Sequence, residues 1–307
     1  MGDGRSALHR EDQSVVRCDD CHTDNPRTAG LDALDPESRR LLRHGTDRTR
    51  WVTLAKSGRP LVNTWVDDAG TWLEGKYSRR VSSVRPPAQA CTRAAHRSVA
   101  CASCHSAWAP QCPQCHTSYD ADGGMYDLLD DAPRAGEWLE VGGVALAEPP
   151  SLGVREGDAG REVIPFVPGM VLTLGDDLHR LFAPISPHTT RATSRSCSSC
   201  HVDPLALGYG RGELRFEGGT WQFKAAAQSL ADGLPADAWL GFLSAPRPGS
   251  SARENTRAFT VEEQRRVLTV GACLSCHAPD STVMGAALDD FGRALRGRST
   301  QCVLPRW

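Results

Sequence analysis

The chain has 307 residues, a formal net charge of −2, 40% hydrophobic and 6% aromatic residues, and twelve cysteines. That length admits one large or two modest domains, and a negative balance disfavours nucleic acid as a partner. The longest apolar stretch, near Phe166–Leu174, is interrupted by Pro168 and too short to span a bilayer, so the sequence contains no transmembrane segment.

Residues 1–50 carry His9, a Cys18-x-x-Cys21-His22 motif and one short helix, opened by Asp35 as N-cap with Pro36 at the first helical position. His44 falls in a helical stretch, Leu41–His44. Residues 51–85 change character. Trp51–Leu54, Leu61–Val66 and Thr71–Glu74 read as short strands, with Asp67-Asp68-Ala69-Gly70 as a hairpin turn. Residues 91–119 are densest: Cys91, His96, and the motifs Cys101-x-x-Cys104-His105 and Cys112-x-x-Cys115-His116. Residues 136–174 read as extended chain punctuated by Gly and Pro. His179, in a helical stretch Leu178–Leu181, and His188 precede Cys197-x-x-Cys200-His201. A hairpin is predicted over Gly212–Lys224 and a loop over Pro246–Ser251. Thr260-Val261-Glu262-Glu263 is a capping box opening a helix that leads to Cys273-x-x-Cys276-His277. After Ser281 comes a last helix, whose Met284, Leu288, Phe291 and Leu295 form an apolar stripe read as a core face.

Five Cys-x-x-Cys-His motifs in one chain have the form of c-type haem attachment sites. Two thiols three positions apart sit on one short turn and can add to the two vinyl groups of one porphyrin. The adjacent histidine, here His22, His105, His116, His201 or His277, then lies under the iron as proximal ligand. Zinc sites need thiolates grouped in fours and give no reason for a histidine after every second cysteine. Iron–sulfur clusters need four cysteines each and no histidines, and thioredoxin-like chemistry needs one motif, not five.

Ten histidines less the five in the motifs leave His9, His44, His96, His179 and His188. Five haems need five further axial ligands, so the count predicts bis-histidine ligation with these five as distal candidates. Methionine is the rival ligand, but Met1 is terminal and Met284 lies on the apolar stripe, leaving Met125 and Met170. His9 and His188 are each followed by eight residues and then a motif, and His96 stands just before Cys101. The sites at Cys101–His116, eleven residues apart, predict two haems close together. Cys91 and Cys302 remain outside the motifs. They form either a disulfide tying the C-terminal tail to the three-haem segment or two separate buried thiols. Arginine far outnumbers lysine, which occurs only at Lys56, Lys76 and Lys224; base composition explains this, or pairing of some arginines with haem propionates. No signal peptide is visible at Met1, yet haem attachment outside the cytoplasm implies export, to the periplasm or the cell exterior, and a start lost upstream.

On these motifs and spare histidines, across residues 18–277, the chain resembles the bacterial multihaem, here pentahaem, c-type cytochromes. The paired sites at His96–His116 are similar to those of multihaem electron carriers and of the hydroxylamine-oxidoreductase-like and tetrathionate-reductase-like groups. The pentahaem nitrite reductases use a Cys-x-x-Cys-Lys site, and none occurs here. The resemblance implies five covalent haem c groups and exported, often respiratory, electron transfer. The expected fold is mixed α+β, with short helices and small antiparallel β elements wrapped around the haem chain. An N-terminal part, 1–135, carries three haem sites with a β insertion at about 51–85, and a C-terminal part, 136–307, carries two with a hairpin at about 212–224. The expected function is an electron relay between a protein donor and acceptor, with no catalytic residues, either alone or within a larger complex or filament. The alternative is an oxidoreductase with one open haem acting on a small inorganic nitrogen or sulfur compound, aided by a free histidine, an arginine, or Tyr119 or Tyr126.

Overall fold

The structure, a computed structural model, describes residues 15–42, 47, 49–111, 116–141, 146–157, 160–174, 177–186, 189–227 and 229–307. Two compact units divide the chain, the first ending at Arg93 and the second running from Ala94 to Trp307. The first contains α1 (Cys18–Cys21), β1 (Arg27–Ala29), α2 (Pro36–Leu41), β2 (Trp51–Leu54), β3 (Pro60–Asp67), β4 (Gly70–Glu74), β5 (Val81–Ser83) and α3 (Gln89–Thr92). Its five strands form one antiparallel sheet in sequence order. The expected helix start is in place: Asp35 accepts from Ser38 N at 2.8 Å, with Pro36 at the first turn. The β3–β4 hairpin closes between Asp67 and Gly70. Asp67 Oδ1 fixes that turn by accepting from Ala69 N and Trp72 Nε1, each at 2.9 Å. Leu34, Val52, Leu61 and Trp65 are buried in this unit.

The second unit contains α4 (Cys101–His105), β6 (Ala109–Gln111), β7 (His116–Asp127), β8 (Ala132–Val141), β9 (Leu146–Glu148), β10 (Ser151–Gly157), β11 (Gly160–Leu174), β12 (Asp177–Pro184), α5 (Ser198–His201), β13 (Gly212–Glu217), β14 (Thr220–Ala225), β15 (Thr256–Arg257), α6 (Val261–Leu274), α7 (Thr282–Asp289) and α8 (Phe291–Arg296). Strand β11 organises it. Its first half pairs with β10 and its second with β12, both antiparallel, while Val171–Thr173 also pairs in parallel with β7. The β11–β12 register shifts between Pro168 and Val171, as expected where a proline cannot donate to the ladder. The predicted hairpin appears as β13–β14.

The core of the second unit centres on Trp239, which is fully buried between Phe166 and Phe182, at ring-centroid distances of 4.6 and 4.7 Å. Its Nε1 donates to Ser250 O at 3.0 Å. Gly153 on β10 makes room: a Cβ there would lie 2.6 Å from the Trp239 ring and 2.8 Å from Arg257 O. Below the core, the buried Arg180 guanidinium bridges both Asp232 oxygens at 2.7 and 2.8 Å. It also donates to the carbonyls of Leu234, Pro235, Ala236 and Ala238. Burial alone would raise the Asp232 carboxyl, but the bonds from Arg180 win and hold it at about 2 against an ordinary 3.8.

The mixture of short helices and small, mostly antiparallel sheets is the expected one, the parallel β7–β11 pairing aside. Two expectations change. Leu178–Leu181 is strand, not helix: Arg180, Phe182 and Pro184 alternate inward while His179 is exposed, and the ladder to β11 takes up the backbone bonds. The last helix is two helices, because Asp290 leaves helical geometry and caps α8 by accepting from Arg293 N at 2.9 Å. Of the expected stripe only Met284 is fully buried; Leu288, Phe291 and Leu295 are half-buried. The two units divide after Arg93, and the β7–β8 ladder lies within the second. Among the described residues no helix is long and apolar enough to cross a membrane.

Candidate functional site

Each described Cys-x-x-Cys-His segment closes one helical turn. The carbonyl of the first cysteine accepts from the histidine N–H at 2.8 Å in Cys18–His22 and at 2.9 Å in both Cys197–His201 and Cys273–His277. Cys101–His105 is helical throughout, as α4. Residues three apart on such a turn share a face, which brings both thiols of a motif to one side with the histidine directly after them. Of these eight cysteines, Cys18, Cys101 and Cys276 are exposed and Cys21, Cys104, Cys197, Cys200 and Cys273 half-buried. Cys112 and Cys115 lie outside the described residues, and of the third motif only the His116 backbone, in β7, is described. Among the described residues no three His, Cys, Asp or Glu side chains gather into a metal-holding cluster.

Three motif histidines are seated in the same way. Nδ1 of His22 meets Arg85 O at 2.7 Å, Nδ1 of His105 meets Arg191 O at 3.0 Å, and Nδ1 of His201 meets Val267 O at 3.0 Å. A carbonyl only accepts, so Nδ1 carries the proton in each. In the neutral ring Nε2 is then the bare nitrogen, the tautomer an axial or metal ligand needs. Burial holds the His201 ring below the ordinary imidazole range, against the opposing effect of its bond to Val267, and the His96 ring is lowered by burial as well.

Different supports hold each turn. Around the first motif, buried Asp20 accepts from Arg17 N and from Lys56 N, each at 2.7 Å, and the Lys56 ammonium pairs with Asp19. The second is fastened to β11 by Ala100 N and Ser103 Oγ, which both donate to Val163 O. It also lies along the stretch that leads into the fourth motif: Arg191 N donates to His105 O at 2.9 Å and Arg195 N to Cys104 O at 2.8 Å. The fourth packs α5 against α6, with Cys200 on the hydrophobic core. Gly271 allows that approach, since a Cβ there would stand 2.5 Å from His201 O. Helix α6 opens on the expected capping box, with Thr260 N donating to Glu263 at 2.8 Å and Glu263 N to Thr260 Oγ1 at 3.3 Å. It supplies Val267 to seat His201 and ends in Cys273, the start of the fifth motif. The fourth motif therefore adjoins both the second and the fifth.

Of the distal candidates, the structure brings His96 to His201, with ring centroids 6.4 Å apart and planes inclined by 29°. His179 stands exposed on β12. His9, His44 and His188 lie outside the described residues, and the helical stretch around His44 extends only to Leu41 among those described. Met125 is exposed on β7. Cys91 is exposed and Cys302 half-buried. Cys302 lies near Cys273, whose thiol is pushed up by burial and then by Cys302 and Cys276. Burial also pushes up the thiols of Cys21 and Cys200. Several arginines already have protein carboxylates: Arg180 pairs with Asp232, Arg195 with Asp203, Arg211 with Glu148 and Asp237, and Arg257 with Glu156 and Glu263.

The seats at Arg85, Arg191 and Val267 are positions that sequence reading does not reach, because a backbone carbonyl has no residue signature. Gly271, a glycine inside a well-capped helix, is the one visible hint of close packing. No family model, curated protein or solved structure matches the chain.

Proposed function

We propose that the chain is an exported multihaem cytochrome c of the periplasm or cell exterior, relaying electrons between a protein donor and acceptor through five covalently attached haems. One observation carries this reading: three separate motif histidines have Nδ1 committed to a remote backbone carbonyl, which leaves Nε2 bare on a turn that also carries two cysteines. That donor set fits haem c. Chance placement of a histidine gives no reason for the same seat to recur three times.

In this reading the cysteines of each motif hold the porphyrin by thioether bonds, and His22, His105, His116, His201 and His277 are the proximal ligands. His9, His44, His96, His179 and His188 are the distal candidates. The haem iron supplies one-electron exchange when bound. The seat fixes the orientation of the His22, His105 and His201 rings and raises their basicity as ligands. Burial of the fourth site limits water and tunes the potential there, while the exposed first site offers a surface edge to a partner. Exposed apolar side chains on and beyond the β7 end, Tyr126, Leu128 and Leu129, with Trp138 on β8, support contact with a partner or a larger assembly.

A second reading, an oxidoreductase with one open haem acting on a small inorganic nitrogen or sulfur compound, is favoured by one observation. His179 is exposed on a strand and is not brought to any described motif histidine. Tyr119 and Tyr126, both on β7, are candidate distal groups; Tyr126 OH donates to Asp131 at 2.9 Å.

The test joins intact mass with carbon monoxide binding to the fully reduced protein. The relay reading expects a mass increment of five haems and no change in the Soret band with carbon monoxide. Five haems with a change equivalent to about one in five would move the assignment to the enzyme, since carbon monoxide needs an open axial position. A chain secreted through haem-attachment machinery with no covalent haem would end both readings.

A further inference from the structure

We infer that His96 is the distal iron ligand of the haem held by Cys197, Cys200 and His201; this rests on the haem reading above. An imidazole nitrogen bonds a first-row metal at about 2.0–2.1 Å with the ring centre about 1.1–1.2 Å behind it, so two imidazoles on opposite sides of one metal have centres about 6.3 Å apart. His96 and His201 stand at 6.4 Å. Their planes are nearly parallel, at 29°, as two rings sharing one axis can be. The parallel Phe182–Trp239 pair stands closer, at 4.7 Å, and the tilted Phe223–Phe242 pair stands at 6.3 Å.

The remaining chemistry agrees. With Nδ1 of His201 on Val267 O, its free nitrogen is Nε2. The His96 ring has no hydrogen-bond partner among the described residues. Its position is fixed by a short 3-10 turn, Ala94–His96, that packs against α7.

The assignment has a consequence for the order of the haems. Four residues separate His96 from Cys101, so their Cα atoms are at most about 18 Å apart. One short segment would thus ligate the fourth haem and carry the second. Arg191 and Arg195 join the same two motifs from the other direction. The second and fourth haems become neighbours, although their motifs lie far apart in sequence.

The experiment uses the full holoprotein. His96→Ala should keep five haems by intact mass, and about one-fifth of the haem should become high-spin when oxidised and bind carbon monoxide when reduced. His96→Met should restore six-coordination, with a methionine–iron charge-transfer band and a raised potential for that haem. Repeating His96→Ala in a chain carrying Cys197→Ser and Cys200→Ser, which lacks the fourth haem, should abolish the carbon monoxide signal. If that chain does not fold, selectively labelled histidine gives the same answer: the paramagnetically shifted His201 ring resonances must move on His96→Ala. Five haems, all closed to carbon monoxide in His96→Ala, overturns the assignment and leaves the haem reading standing. So does a carbon monoxide signal that survives loss of the fourth haem, or His201 resonances that stay in place. Wild-type protein without covalent haem removes the haem reading itself, and the assignment with it.

Discussion

Cys18–His22 and Cys197–His201 fold into the same turn, with the histidine N–H on the first cysteine carbonyl at 2.8 and 2.9 Å and Nδ1 on a remote carbonyl at 2.7 and 3.0 Å. Their surroundings differ. The first turn is propped by polar groups, Asp20 beneath it and a Lys56–Asp19 pair beside it, and His22 is exposed. The fourth is pressed onto a helix through Gly271, with Cys200 against a core of aromatic side chains. The turn is therefore written locally, while its access to water is a tertiary choice. One motif repeated along one chain can hold its histidine in quite different dielectric settings.

Substitutions can separate the two kinds of support. The largest effect is expected from Arg180→Met, which removes the buried partner of Asp232, leaving it Arg247 and Leu234 N, and takes one donor from each of four carbonyls beneath the core that backs the fourth motif. Breaking a buried pair this way costs about 3–5 kcal/mol. Urea unfolding should show that loss in the second unit and leave the first unit's transition in place. Asp20→Ala attacks the other support. It leaves the backbone N–H groups of Arg17 and Lys56 without their acceptor, at about 1–3 kcal/mol. Hydrogen exchange should quicken at Cys18–His22 and not at Cys197–His201.

Gly271→Ala is the converse. Forcing a Cβ against His201 O costs about 1–3 kcal/mol, and the gain of about 0.5–1 kcal/mol from alanine in a helix offsets part of it. A net loss of about 1–2 kcal/mol, with faster exchange at Cys197–His201 alone, is expected; unchanged exchange there would show that α5 does not depend on this approach. The smallest effect near neutrality is acidic. Asp232 has a folded value of about 2, below its ordinary 3.8, so its contribution is complete above pH about 4 and is lost as pH falls through about 2. Asp232→Asn should flatten the decline of second-unit stability between pH 4 and 2, followed by denaturant midpoints at each pH.

Legibility in the sequence follows the range of the interaction. Asp35-Pro36, the Asp67–Gly70 turn, the β13–β14 hairpin and the Thr260 capping box depend on neighbours within a few residues, and each is where the sequence placed it. Leu178-His179-Arg180-Leu181 misleads because leucines three apart suit a helix, whereas the long strand β11 takes this segment as its partner. Asp290 was read through as part of an apolar stripe, although aspartate competes for helix caps. The Cys-x-x-Cys-His turns are fully legible as motifs. Their seats are not, because those depend on which distant carbonyl the fold delivers, and the meeting of His96 with His201 is of the same kind.

The carbonyls that seat His22, His105 and His201 follow them in the chain by 63, 86 and 66 residues. At synthesis rates of about 5–20 residues per second, each histidine waits roughly 3–17 s for its acceptor to be made. Each of these motif turns therefore exists as a bare peptide before its seat does, and the seat is completed by a segment that contains no cysteine of that motif.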